Sequence, residues 1–223
     1  MILLQYPHIN SAEEFAAAHP VSRETLEKLR AYAALLGEWG RVQDLVAPST
    51  LEDIWHRHIA DSAQLLPFAP ASATRWIDLG SGAGFPGMVL AILAADRPGF
   101  RMQLIESSNR KCSFLREVAR RTGAPVDILC MRIENLATHH TLAPPEVVTA
   151  RALAPLGKLL RLAHPLLADT TLGLFLKGRD GAREIEDAKQ QWRFQVLTTP
   201  SRTDPDGRIV QIRHLGTLEG AEP

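Results

Sequence analysis

The stretch Trp76-Ile77-Asp78-Leu79-Gly80-Ser81-Gly82-Ala83-Gly84-Phe85-Pro86-Gly87 limits what this chain can fold into more than any other part of it. An apolar run of strand character feeds a glycine-rich turn, and a proline then marks a helix start, where its missing N–H is no loss. Strand, glycine turn and helix in that order open a parallel α/β sheet, because the glycines let the backbone pass close to a ligand at the strand's carboxyl end. The sequence beyond keeps this rhythm. Short apolar runs at 75–79, 101–105, 126–131, 147–150 and 171–176 predict strands, and amphipathic segments at 86–95, 109–122, 155–168 and 180–191 predict the helices between them. Two further strands, 194–199 and 208–214, flank the turn formers Asp204-Pro205-Asp206-Gly207, so the sheet is expected to end in an antiparallel hairpin.

Ahead of this, residues 1–70 read as a small helical extension. Three polar helix starts occur there: Ser11 with Glu14, Ser22 before Arg23-Glu24, and Ser49 with Glu52. Leu26, Leu29, Ala33 and Leu36 repeat at helical spacing until Gly37 and Gly40 break the pattern. The expected organisation is therefore an extension over 1–70 and a Rossmann-like α/β domain over 71–223, its sheet mostly parallel.

The ligand is narrowed by charge. Gly82, Gly84 and Gly87 satisfy GxGxxG, and Glu106 follows Gly84 by about 20 residues, as in a dinucleotide fingerprint. A nicotinamide-dependent oxidoreductase thus shares the pattern. Asp78, two residues before Gly80, favours another nucleoside: it would repel a pyrophosphate but suits the ammonium of S-adenosylmethionine, directly or through water. Glu106, ending the second strand, is placed to accept hydrogen bonds from a ribose diol. The terminal hairpin also fits a methyltransferase better than an all-parallel dehydrogenase sheet.

Charge and cysteine content exclude other classes. Twenty-five basic side chains balance 25 acidic ones, so a nucleic acid would have to be held by a local face and not by a global field. Two cysteines, Cys112 and Cys130, rule out a disulfide scaffold or a structural zinc site. The adjacent His139 and His140 lack a third ligand at metal spacing, and no metal is assigned. The longest apolar run, 88–95, is far short of the roughly 18 residues of a spanning helix, and 1–10 lacks the flank of a signal peptide. A soluble, cytoplasmic protein is expected.

Several motifs together resemble the bacterial 16S ribosomal RNA guanine-N7 methyltransferases (the RsmG or GidB family), class I S-adenosylmethionine-dependent enzymes. They are Leu45-Val46, Arg57-His58-Ile59-Ala60-Asp61-Ser62, the glycine loop from Asp78, Glu106-Ser107 with Lys111 and Phe114-Leu115, Arg132-Ile133-Glu134, Arg151-Ala152, and Leu176-Lys177-Gly178. Asp44-Leu45-Val46 stands where Asn-Leu-Thr is commoner, and Glu106 replaces a frequent aspartate. The resemblance implies transfer of a methyl group to guanine N7 of 16S rRNA in the small ribosomal subunit. It also implies cofactor contacts at Gly80, Phe85, Ile133, Glu134 and Arg151. Arg151 suits either the cofactor carboxylate or an RNA phosphate. With Asp78, Gly82, Gly84 and Glu106 these complete the expected cofactor set.

The reaction is also bounded by what the sequence omits. Exocyclic nitrogen methylation often uses Asp or Asn followed by Pro-Pro-aromatic after the fourth strand, where this chain has Thr149-Ala150-Arg151-Ala152. Carbon-5 methylation needs a cysteine nucleophile, yet Cys112 and Cys130 fall on a helix and a strand as packing residues. Guanine N7 carries a free lone pair, so no general base is required and none is assigned. For RNA the expected contacts are Arg57, His58, Lys111 and Lys177. Arg57, His58 and Asp61 share a helical face, and Lys177 ends the fifth strand at the ligand edge of the sheet. Arg110, Lys111, Arg116, Arg120 and Arg121 give one helix a basic face, while His56 is expected at the surface. The chain is expected to act as a monomer. A different RNA, protein or small-molecule acceptor, and an RNA-binding module without turnover, remain open on the residues alone.

Overall fold

A computed structural model of the chain describes residues 7–40, 45–47, 50–138 and 144–218. Inside the sheet lies β1 (Arg75–Leu79), in which every residue after Arg75 is buried, as expected of a strand paired on both edges and covered on both faces. β1 pairs in parallel with β2 (Arg101–Glu106) on one side and β4 (Val147–Arg151) on the other. β2 continues to β3 (Val126–Cys130), and β4 to β5 (Leu172–Lys177). β7 (Arg208–Thr217) then runs antiparallel against both β5 and β6 (Trp192–Pro200). The order is β3-β2-β1-β4-β5-β7-β6. Strand order reverses between β1 and β4, so a crevice opens beyond their carboxyl ends, where open α/β sheets bind ligands.

The side-chain period of two splits the sheet into two apolar faces. Trp76, Met102, Leu104 and Leu174 face one layer, built with Met88 and Leu90 of α4 (Gly87–Leu93) and Phe114 and Leu115 of α5 (Asn109–Thr122). Ile77, Leu79, Ile105 and Phe175 face the other, against Leu156 and Leu160 of α6 (Leu156–Ala163) and Ile185 of α7 (Gly181–Lys189). The N-terminal helices join the first layer. Phe15 of α1 (Ala12–Ala18) and Leu29, Tyr32 and Leu36 of α2 (Arg23–Gly40) are wholly buried there. At ~1.5–3 kcal/mol for each large apolar side chain, these four tie the segment before residue 70 to the sheet through one common core.

The helix starts follow their polar caps. Ser11 Oγ accepts from Glu14 N at 3.2 Å and Ser22 Oγ from Thr25 N at 3.1 Å, while Ser49 lies outside the described residues. α6 is shorter than its periodicity suggests. It ends at Ala163 and passes into a 3-10 turn, His164–Leu166, because Pro165 has no N–H to continue the ladder. Among the described residues no helix is long and apolar enough to cross a membrane.

Candidate cofactor and acceptor sites

The glycine loop leaves β1 and is fastened at several points. Ser81 N donates to Ile105 O of β2 at 2.9 Å, and Gly84 N turns back to Ser81 O at 2.7 Å. Gly82 has φ +58, and a Cβ there would meet nothing closer than Gly80 O at 3.9 Å. The backbone is therefore bare and faces open space, as close approach of a ligand requires. That space is a cavity of about 340 Å³ lined by Gly80, Gly82, Glu106, Ile133 and Glu134, with Lys111 at its edge. Glu106 Oε2 accepts from Gly82 N at 2.9 Å and Oε1 from Ser108 N at 2.7 Å. Each oxygen keeps further acceptor capacity, so the carboxylate is oriented by backbone and still able to receive hydroxyl donors.

Asp78 sits behind this loop. It is fully buried, Oδ1 accepting from Thr149 Oγ1 at 2.7 Å and Oδ2 from Gly87 N at 3.3 Å. Burial is the main cause that pushes its carboxyl up to about 6, against the opposing pull of Thr149, Ser81 and Gly87. Tyr32, from α2, donates its hydroxyl to Ala83 O at 2.5 Å and stacks on Phe85 with ring centroids 5.3 Å apart. His58 stacks on Phe85 at 4.7 Å, and the Arg151 guanidinium lies 5.1 Å from the same ring centroid.

A second, larger cleft of about 1130 Å³ opens beyond Arg151, lined among others by Arg57, His58, Asp61, Arg151 and Lys177. The segment carrying the first three is a π-helical turn, Trp55–Ala60, running into α3 (Asp61–Ala63). Such wide turns tend to mark functional sites. Here it brings the His58 ring, the Arg57 carbonyl and the Asp61 carboxylate to one guanidinium. Arg151 Nη1 donates to Arg57 O at 2.8 Å and pairs with Asp61 Oδ2 at 3.1 Å, and Nη2 faces His58 Nδ1 at 2.8 Å. A guanidinium has only donors, so Nδ1 accepts and the ring proton lies on Nε2, which donates to Thr50 Oγ1 at 2.9 Å. Burial first, then the charges of Arg151 and Arg57, push His58 down to about 3, so the imidazole is neutral. Lys177 donates to Ala154 O at 2.7 Å and pairs with Glu184, whose Oε2 also accepts from Leu156 N at 2.7 Å.

The expected site residues thus fall into three groups. Gly80, Gly82, Glu106, Ile133 and Glu134 meet in the smaller cavity, and Lys111 borders that cavity and not the larger one. Arg57, His58, Arg151 and Lys177 meet in the larger cleft. Asp78, Gly84 and Phe85 line neither; all three are buried, Phe85 beneath His58 and Arg151 of the larger cleft. His56 is not at the surface. It is 8% exposed, its Nδ1 accepting from Ile9 N at 3.3 Å and its Nε2 meeting Thr203 O at 3.0 Å, so it joins three segments. The basic face of α5 is partly neutralised by the Glu117–Arg120 ion pair. Cys112 is buried, donating to Glu106 O at 3.3 Å, and His139, His140 and Asp44 lie outside the described residues. No cluster able to hold a metal ion occurs among the described residues. Tyr32, Thr50 and Glu184 carry no local signature; Tyr32 reads in sequence as one more apolar position of α2.

The family model described as rRNA small subunit methyltransferase G matches residues 25–210, most of the chain. The chain belongs to this family. Curated family members include the ribosomal RNA small subunit methyltransferase G of a Methylorubrum extorquens strain, 53% identical over 90% of this chain and 94% of that protein. That of Parvibaculum lavamentivorans is 48% identical over 96% and 94% respectively. Solved structures share the fold at low identity. The O-methyltransferase TomG from Streptomyces achromogenes, in complex with SAM, has a TM-score of 0.60 at 15% identity, covering 92% of this chain and 96% of that one. An O-methyltransferase from Bacillus cereus in complex with SAH gives 0.57 at 14%, covering 92% and 100%. Family membership and fold agree with a class I methyltransferase sheet ending in an antiparallel hairpin.

Proposed function

We propose that the chain methylates N7 of a guanine in 16S rRNA, with S-adenosylmethionine bound in the smaller cavity and the guanine entering the larger cleft. The observation that carries this reading is that the two cavities share one wall, residues 152–154 after β4, in a chain of the rRNA small subunit methyltransferase G family. The residues fit the cofactor. Glu106, oriented by Gly82 N and Ser108 N, would receive the ribose hydroxyls, and Ile133 and the backbone at Glu134, which line the same cavity, would hold the adenine. The bare backbone at Gly82 would leave room for the amino-acid arm, with Asp78 holding the loop through Gly87 N.

S-adenosylmethionine held there would supply an electrophilic methyl group: the N7 lone pair forms the N–CH3 bond as the S–CH3 bond breaks, its electron pair staying with S-adenosylhomocysteine, and no proton need be lost. That matches the groups at the junction, which are already committed: Asp61 to Arg151, Gln64 and Thr203, and the His58 Nδ1 lone pair to Arg151. Catalysis by this chain is then alignment, exclusion of water and electrostatics. Arg57, exposed on the rim, meets RNA phosphate on the acceptor side, while Lys177, expected there too, has its ammonium committed to Ala154 O and Glu184 and shapes that side by holding the wall. Such chemistry belongs in the cytoplasm, with a single chain as the working unit. The test is methylation of small ribosomal subunits followed by nucleoside analysis: 7-methylguanosine supports the reading, and label in another nucleoside overturns the N7 assignment.

A further inference from the structure

The shared wall has a construction that neither sequence motifs nor family membership explain. It consists of Ala152, Leu153 and Ala154, each lining both cavities. Ala152 adopts φ +52, a left-handed conformation that costs a non-glycine residue of the order of 1 kcal/mol and persists only where the surroundings enforce it. The enforcement is visible downstream. Lys177 Nζ holds Ala154 O at 2.7 Å, and its ion-pair partner Glu184 holds Leu156 N at 2.7 Å, so the chain after Ala152 is fixed from β5 and α7. With Ala152 turned and Ala154 anchored, Leu153 is laid over the glycine loop. Its Cδ1 lies 2.5 Å from where a Cβ on Gly80 would stand, so the side chain occupies the space that residue 80 leaves by being glycine.

Resting on the function proposed above, we propose that Leu153 is a positioning residue: its isobutyl group, seated on Gly80, forms the apolar partition between donor and acceptor cavities and sets the approach of the guanine to the methyl group. The chemistry at such a partition needs an apolar, space-filling group. Water admitted beside a sulfonium strengthens its solvation and lengthens the mean approach of the nucleophile, and a shift of about 1 Å in the reacting atoms costs on the order of a hundredfold in rate. A polar side chain there would carry its own water. Leu153 has no polar group to leave unpaired and is only partly buried where it packs on the second apolar layer, so its removal alters the junction more than the fold.

The experiment uses the full chain with Leu153→Ala and Leu153→Met, measuring cofactor affinity by calorimetry, KM for small ribosomal subunits, single-turnover methyl transfer at saturating cofactor and RNA, and melting temperature. Leu153→Ala is expected to slow single turnover by roughly ten- to a hundredfold, while cofactor affinity and KM each change less than about threefold. Leu153→Met, which restores volume and apolarity, is expected to recover the rate to within about threefold of the wild type. An unchanged rate in folded Leu153→Ala, a cofactor affinity that falls as far as the rate, or failure of methionine to recover the rate overturns the proposal. Failure of the function itself looks different: the wild-type chain then gives no 7-methylguanosine under the same conditions.

Discussion

Asp78→Asn separates charge from positioning at the most deeply buried carboxylate of the glycine loop. The folded-state value of about 6 lies above the 3.8 of an unhindered aspartate, chiefly because the group is wholly desolvated. A raised acid binds more protons in the folded than in the unfolded state across that interval, so its contribution to stability falls as pH rises from 3.8 to 6. The full difference is about 3 kcal/mol, of which about 2 kcal/mol falls between roughly pH 4.5 and pH 7.5. Asparagine has no such titration. Its amide can also be accommodated: Oδ1 accepts from Gly87 N while Nδ2 donates to Thr149 Oγ1, whose hydroxyl turns to Ile77 O, already at 3.5 Å. Buried His58 and half-buried His19, held down to about 3 and about 4, work in the opposite direction, adding stability as pH rises toward 6.5. They are common to both proteins and cancel in the comparison. Urea unfolding of wild type and Asp78→Asn across this range is expected to show the variant gaining about 2 kcal/mol relative to wild type toward higher pH. A stability difference that stays flat with pH would refute the reasoning, because it would mean that Asp78 is not a desolvated carboxylate.

Three further outcomes follow from the same geometry. Tyr32→Phe strands Ala83 O without its donor and is expected to cost ~1–3 kcal/mol by urea unfolding, with cofactor affinity falling by calorimetry as the loop loosens; unchanged values for both would detach Tyr32 from the loop. Gly87→Ala places a Cβ 2.6 Å from Asp78 Cβ and 2.5 Å from Leu104 Cδ2, an overpacking expected to lower stability by ~1–3 kcal/mol in the same assay. Lys177→Met leaves Glu184 without its cation and frees Ala154 O; methyl transfer is expected to fall more than cofactor affinity does, and an equal fall of both would place Lys177 with the cofactor and not with the acceptor.

The parallel sheet was legible because its determinants are local. Apolar runs such as 75–79 and 147–150, the glycine turn and the Asp204-Pro205-Asp206-Gly207 reversal each act within a few residues. The helix over Asn109–Thr122 was legible for the same reason, with Ser108 capping it and Gly123 ending it. The place of Glu106 at the end of the second strand could also be read from its spacing, but not the hydrogen bond it accepts from Gly82 N. What sequence does not carry is how the ends of distant elements meet. Arg151 is joined to Asp61 and His58 across about ninety residues of chain, and the π-helical turn that makes this possible leaves no pattern that periodicity detects. His56 read as a surface residue because its partners, Ile9 N and Thr203 O, are backbone atoms from opposite ends of the chain. Phe85 and Asp78 read as ligand contacts by position; their burial, and the stacking of Tyr32 and His58 on Phe85, come from elements distant in sequence and leave no local pattern.

The most direct test incubates the purified chain with small ribosomal subunits and S-adenosylmethionine labelled in its methyl group, then digests the RNA and resolves the nucleosides by mass spectrometry. Label in 7-methylguanosine from 16S rRNA, lost when Gly80→Arg fills the donor cavity, is the result this account requires. Label in a different nucleoside, or label in 7-methylguanosine that survives Gly80→Arg in a folded protein, would contradict it.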